Sequence, residues 1–341
     1  MACALRCPRR YWYDNILGLK EVTPSEALRI GTAVHNGGEA RAKGLDFAAQ
    51  YKAAISGGSL DEWMAAKVFG ILGAYDKKYG EVEDADCAAM EPEVEFTDPI
   101  DGSRTFEQRG KVDGLAVLKD GRRVVWERKT TSDDLSETSD YWDRLKFNIQ
   151  LLAYAGWVEH STGELPVCVY DVIRKPQLQP KSNVPEVDAD GLPIVLDANG
   201  QRCIKRDGTP KKTADSAKGE RIAGHPETPD EYGARILEAM GAEPERYFAR
   251  REVSITADML AEFKRERLGV CRMLLHFASE ARRSERPEYA YPRACNPDNC
   301  RSCPFSGVCL NRIPVDEKSV PEGFRIAHHE ELTQPHGADA Q

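Results

Sequence analysis

No window of the 341-residue sequence is apolar for long enough to cross a bilayer. The opening Met1-Ala2-Cys3-Ala4-Leu5-Arg6 lacks the apolar core of a secretion signal, so a cytoplasmic chain is expected. An excess of positive charge is missing as well: 47 Lys and Arg stand against 56 Asp and Glu, a net charge of −9. That excludes a protein coated in basic surface, although a local nucleic-acid site depends only on where the charges lie. Basic residues are dense between Arg246 and Arg293 (Arg250, Arg251, Lys264, Arg265, Arg267, Arg272, Arg282, Arg283 and Arg286). Acidic residues interleave with them, so a solvated helix face explains them equally well. No internal repeat is visible. Hydrophobic residues at 41% and charged ones at 30% belong to a globular chain, long enough for one large or two ordinary domains.

Cysteine is not scarce. Of the ten, Cys295, Cys300, Cys303 and Cys309 fall together near the C-terminus. In a cytoplasmic chain such a cluster suggests metal or iron–sulfur ligation before disulfides. Those four could bind Zn²⁺ among themselves. Cys87, Cys168, Cys203 and Cys271 read as buried thiols, and Cys3 receives no assignment.

Two stretches carry the chemistry. Gly110-Lys111-Val112-Asp113-Gly114 and Val124-Val125-Trp126-Glu127-Arg128-Lys129-Thr130-Thr131 both read as strands, with Lys119-Asp120-Gly121 as the turn between them. A two-residue loop would pair Asp113 with Arg128 and put Asp113 and Glu127 on opposite faces. A three-residue loop, with Gly121 left-handed, pairs Asp113 with Glu127. Side chains alternate along a strand, so in that register Asp113, Glu127 and Lys129 converge. Two carboxylates beside one ammonium suit a hard divalent cation. Such an ion lowers the pKa of a bound water and stabilises charge on a phosphate. Glu-x-Lys alone also occurs in solvated cross-strand ion pairs, so the rest of the chain has to decide.

Thr23-Pro24-Ser25-Glu26 predicts a helix to about Lys43, carrying Gly31-x-x-x-His35. Ser59-Leu60-Asp61-Glu62 reads as a capping box opening a helix to about Lys78. A strand at Glu93 to Phe96 precedes the hairpin. One amphipathic helix is expected over 139–160, with Gln150 and Tyr154 on one face. Leu165 to Arg174 reads as a strand, and 175–224 as an inserted polar flap with small hairpins. Thr228-Pro229-Asp230-Glu231 is a second capping box, opening a helix to about Met240. A strand from Tyr247 to Ile255, a long helix from Thr256 to about Arg283 and a flexible acidic tail over 315–341 complete the prediction. Tyr11, Trp12 and Tyr13 either stack on unpaired bases or, for at least two of them, pack in the core.

Gly31-x-x-x-His35, Asp113, Glu127-x-Lys129 and Gln150-x-x-x-Tyr154, in that order, resemble the motifs of RecB-like members of the PD-(D/E)XK nuclease superfamily. Val112 stands where the superfamily name has proline, a departure common in that branch. The C-terminal Cys300-x2-Cys303-x5-Cys309, with Cys7-Pro8-Arg9-Arg10 near the start, resembles the iron–sulfur nucleases, among them AddB-type subunits and CRISPR-associated single-strand exonucleases.

The resemblance implies an α/β fold: a mixed central β-sheet flanked by helices, forming one nuclease domain over 1–312 with an iron–sulfur staple joining its ends. It implies a Mg²⁺- or Mn²⁺-dependent deoxyribonuclease acting on single-stranded DNA ends. In that reading His35, Asp113, Glu127 and the Arg128 carbonyl hold the metal, Lys129 positions water, and Gln150 and Tyr154 meet substrate. Glu93 or Glu95 would add a carboxylate or be surface charge. Cys7, Cys300, Cys303 and Cys309 hold a [4Fe–4S] cluster. Cys295, outside the family pattern, competes with Cys7, and zinc competes with the cluster. The rival is a non-catalytic DNA-end-binding subunit. Either fits recombination, repair, phage DNA metabolism or CRISPR adaptation, with protein partners and oligomers open.

Overall fold

The computed structural model describes residues 2–57, 60–80, 87–146 and 148–327. Its centre is a five-stranded sheet built from β1 (Cys87–Pro99), β2 (Glu107–Leu118), β3 (Arg123–Thr131), β4 (Val167–Arg174) and β5 (Phe248–Val253). The spatial order is β5-β4-β3-β2-β1, and only β3 and β4 run parallel. Parallel neighbours need a crossover. Here it is supplied by two helices, Asp140–Lys146 (α4) and Ile149–Thr162 (α5). The mixed α/β architecture is the one expected.

Alternation along β3 sets what each face receives. Val125 joins Cys168, Tyr170 and Val172 against Leu151, Tyr154, Ala155 and Val158 of α5. On the other face Ile173 and Phe248 meet α1 (Glu26–Ala42), α3 (Glu62–Tyr79) and α6 (Pro229–Ala242) through Val34, Ile71, Leu72, Tyr75 and Ile236. Between α1 and α3 lies α2 (Phe47–Ile55), a helix the sequence reading passes over; Asp46 caps it. A long helix, α7 (Ala257–Ala281), carries Val270 and Leu274 into a separate cluster with Ala4, Trp12, Tyr13, Leu19, Tyr291, Phe305 and Val308. Trp12 and Tyr13 are therefore core residues and not free to stack on bases.

Three predicted boundaries move. The helix expected over 139–160 is two helices, because the Asn148 side chain accepts from the Gln150 amide at 2.9 Å and starts a new helix. The cap of α3 is Asp61, whose carboxylate takes the Met64 amide; Ser59 lies outside the described residues. The tail begins later than 315: Val315 is buried, and Phe324–Ile326 pairs antiparallel with Leu19–Glu21. Residues 328–341 lie outside the described residues. The polar run 175–224 does form small hairpins, Val184–Pro185 pairing with Gly224–His225 and Val195–Leu196 with Arg221–Ile222. Thr228 and Glu231 form the expected capping box. Among the described residues no helix is long and apolar enough to cross a membrane.

Candidate functional site

The β2–β3 hairpin turns through Lys119, Asp120 and Gly121: Leu118 N–H donates to the Arg122 carbonyl at 2.9 Å, and Gly121 has φ +89°. This is the three-residue loop, and it sets the register Val117 to Arg123 through Gly114 to Trp126. The ladder stops there. Continued by two residues, it would hand the Arg128 N–H to the Val112 carbonyl. That amide instead donates to the Asp113 carboxylate, Oδ2, at 2.7 Å. A side chain has replaced a strand partner, and the two strands part where the acidic residues stand.

Helix α1 closes one side of this gap. Its approach to β3 depends on glycine: a Cβ on Gly31 would lie 3.1 Å from Thr130 Oγ1, and one on Gly38 would lie 2.1 Å from Arg128 Nη1. His35 sits between these two contacts, and its Nδ1 comes 3.6 Å from Asp113 Oδ1. Gly38→Ala should therefore cost about 1–3 kcal/mol by overpacking. Gly269→Ala, in α7 with open space around it, should be neutral or stabilising by up to about 1 kcal/mol. Thermal unfolding of the two variants checks both signs.

Helix α5 closes the other side. Lys129 Nζ donates to Glu127 Oε1 and, at 2.7 Å, to Gln150 Oε1. The Gln150 amide in turn donates to the Tyr154 hydroxyl at 2.6 Å, and that hydroxyl donates to the Lys111 carbonyl at 2.7 Å. Asp113, Glu127, Lys129, Gln150 and Tyr154 are thus brought together, with His35 at the rim. The Arg128 side chain points to the far face of the sheet, where it meets Asp171. Glu93 reaches Lys111 and Lys43.

The two carboxylates titrate in opposite directions. Burial works against ionisation of Asp113, but His35 and the Arg128 amide outweigh it and hold its pKa below the usual range. Glu127 is 1% exposed. Burial first, and the Asp113 charge second, push its pKa up to about 8 against the pull of Lys129. Its second oxygen, Oε2, is buried without any hydrogen-bond partner. Burial, reinforced by the Glu127 charge, raises the Tyr154 hydroxyl as well.

A second group of chemically capable residues lies in the terminal module. Cys7, Cys295, Cys300, Cys303 and Cys309 line one cavity, together with Arg6, Arg9 and Arg10. Burial raises the pKa of Cys303 and of Cys309, and the neighbouring thiols add to it: Cys7 and Cys300 for Cys303, Cys295 and Cys7 for Cys309. Cys295 is exposed; the other four are half-buried. Cys168 and Cys271 are buried thiols, Cys203 is half-buried, and the Cys87 side chain lies outside the described residues. Among the described residues no three His, Cys, Asp or Glu side chains stand close enough to hold a single metal ion.

Sequence reasoning passes over Gly38 and over Asp171, which is wholly buried beside Arg128 and Arg250. The available signal was an aspartate inside the apolar run Val167 to Ile173. A charge there, unless paired, is too costly to bury.

No curated protein and no solved structure matches the chain. A family model does, that of the PD-(D/E)XK nuclease superfamily, over residues 1–310. With Asp113, Glu127 and Lys129 gathered at the parted strands of a mixed sheet, the chain belongs to the PD-(D/E)XK nuclease superfamily.

Proposed function

We propose that the protein is a Mg²⁺- or Mn²⁺-dependent deoxyribonuclease that degrades DNA from single-stranded ends. The observation that carries the metal-dependent reading is Glu127: a buried carboxylate beside Asp113 whose Oε2 has no partner. A buried, unpaired carboxylate oxygen is costly unless something positive meets it. Lys129 already serves Oε1. A hard cation drawn between Glu127 and Asp113 would satisfy the remaining oxygen, with His35 and the Arg128 carbonyl closing on it as it binds. Bound there, the ion supplies a water of lowered pKa and offsets charge on the scissile phosphate. Lys129, fixed between Glu127 and Gln150, orients the attacking water and neutralises charge developing on phosphorus. Gln150, itself held by Tyr154, keeps that ammonium in place and faces the substrate.

Single-strand specificity and the [4Fe–4S] cluster both rest on the resemblance to the iron–sulfur nucleases, and the five thiols that share one cavity support the cluster alone. Soft thiolates suit such a cluster. Cys7, Cys300, Cys303 and Cys309 hold it, and its role is structural, because hydrolysis transfers no electrons. Zinc is the competing occupant. Recombination, repair, phage DNA metabolism and CRISPR adaptation all use such an activity. The first test is digestion of end-labelled single-stranded DNA with Mg²⁺, Mn²⁺ or chelator. Cutting that requires the metal is expected. Tight DNA binding with no cutting under either metal would replace this reading with an end-binding subunit. Iron and sulfide analysis of Cys7→Ala and Cys295→Ala separates the two candidate ligands: iron should fall only in the first.

The raised pKa of Glu127 gives a pH prediction. Its folded value of about 8 lies above its ordinary one, so the protonated acid is the form the fold favours. Without metal, this group's contribution to stability is greatest below about pH 4.5 and declines up to about pH 8. The loss is on the order of a few kcal/mol. Asp113, shifted the other way, acts only at more acidic pH. Saturating Mn²⁺ should flatten the decline, and Glu127→Gln should remove it. Chemical denaturation between pH 5 and pH 8, with and without metal, reads all three.

A further inference from the structure

Asp171 lies in the middle of β4 with no solvent exposure. Its Oδ2 receives the Tyr75 hydroxyl and lies 3.3 Å from Arg128 Nε, while Oδ1 lies 3.3 Å from Arg250 Nε. Arg250 also donates to the Tyr75 hydroxyl at 2.7 Å. Parallel pairing sets Arg128 opposite Asp171, as it sets Glu127 opposite Tyr170. Alternation then places this ionic group on the α1 and α3 side of the sheet and Glu127 on the α5 side. No step of the proposed hydrolysis touches it. As cement it is a poor choice, since burying charges costs desolvation and an apolar trio of similar volume often holds a fold as well. What an ionic group adds is direction.

We propose that Asp171 is a positioning residue for the Asp113 carboxylate, acting through Arg128. The proposal rests on the metal-site reading above. Arg128 is held at both ends: its backbone N–H grips Asp113 Oδ2 at 2.7 Å, and its guanidinium is clamped between Asp171 and the bare backbone of Gly38. Residue 128 therefore cannot slide along the strand or rotate without breaking its contact to Asp171. Because the ladder to β2 has ended at Gly114–Trp126, the amide is held at this point only from behind, by the parallel pairing of β3 with β4 and by the clamp on the far face. The clamp keeps Oδ2 of Asp113 occupied and leaves Oδ1 toward His35.

Titration calorimetry with Mn²⁺ on the full chain tests this, with circular dichroism as the check on folding. Asp171→Asn should keep the fold and weaken Mn²⁺ binding about tenfold, the lower end for residues that orient metal ligands. Tyr75→Phe, which removes one hydrogen bond from the same carboxylate, should shift affinity in the same direction by less. A purely structural role would lower the number of binding-competent molecules and leave affinity unchanged, and calorimetry separates the two quantities. Wild-type affinity in folded Asp171→Asn overturns the proposal. If that variant does not fold, wild-type affinity in Tyr75→Phe overturns it instead. A wild-type protein that binds no Mn²⁺ removes the metal-site reading itself, and the positioning role with it.

Discussion

Lys129→Ala is expected to lower the rate of DNA cutting by about 10³-fold while DNA binding stays within a few-fold of wild type. Lys129 makes two hydrogen bonds, one to Glu127 and one to Gln150, and is the cation placed directly beside the buried carboxylate. Removing it costs the reaction twice. The ammonium that would orient water and offset phosphate charge is gone. Glu127 also loses the one neighbour that pulls its pKa down against burial and Asp113, so more of it is protonated near neutral pH. Substrate contacts spread over a wider surface are untouched, so the loss should appear in single-turnover cutting and not in the anisotropy of bound DNA. A variant that cuts within about threefold of wild type would remove Lys129 from the chemistry.

The second large effect is expected at Cys303→Ala. This residue shares a cavity with four other thiols, and its electrostatic neighbours are Arg10, Cys7 and Cys300, two from near residue 1 and one from near residue 300. On the cluster reading proposed above, the variant should lose iron, sulfide and brown colour together. Because the surrounding cluster of Trp12, Tyr13, Val270, Tyr291, Phe305 and Val308 joins both termini to α7, poorly soluble protein should follow. Metal loss from a folded-around site removes folding free energy as well as colour. Iron at wild-type stoichiometry in this variant would show that Cys303 is not a ligand. Zinc in place of iron in the wild type would move the site to the competing occupant.

What could be read in the sequence follows a physical line. Strands announce themselves by composition, and the spacing from Asp113 to Glu127 allowed only two registers; Gly121, able to take positive φ, marks the one adopted. The residues from His35 to Tyr154 stand out because their motifs, in that order, resemble a family pattern, and the structure gathers Asp113, Glu127, Lys129, Gln150 and Tyr154 with His35 at the rim. The parting of β2 from β3 was not legible, since it depends on the Asp113 side chain capturing an amide that any strand would give to a carbonyl. Asn148 could have been read as a cap, but the apolar periodicity around it is continuous with one helix. Asp171 and Gly38 matter only through Arg128, and a partner behind a sheet leaves no spacing signal.

The pairing of Leu19–Glu21 with Phe324–Ile326 has a consequence for the order in which the molecule is made. Leu19 and Ile326 are 326 − 19 = 307 residues apart. Closing a flexible loop of that length costs about 5 kcal/mol, more than three paired residues return. The junction is therefore affordable only after the sheet and its helices have drawn the ends together. During synthesis Cys7 and the aromatic segment behind it are made long before Phe305, Val308 and Phe324–Ile326. Until those residues follow, Trp12 and Tyr13 lack part of their packing, and the cavity shared by Cys7 with Cys300, Cys303 and Cys309 cannot close.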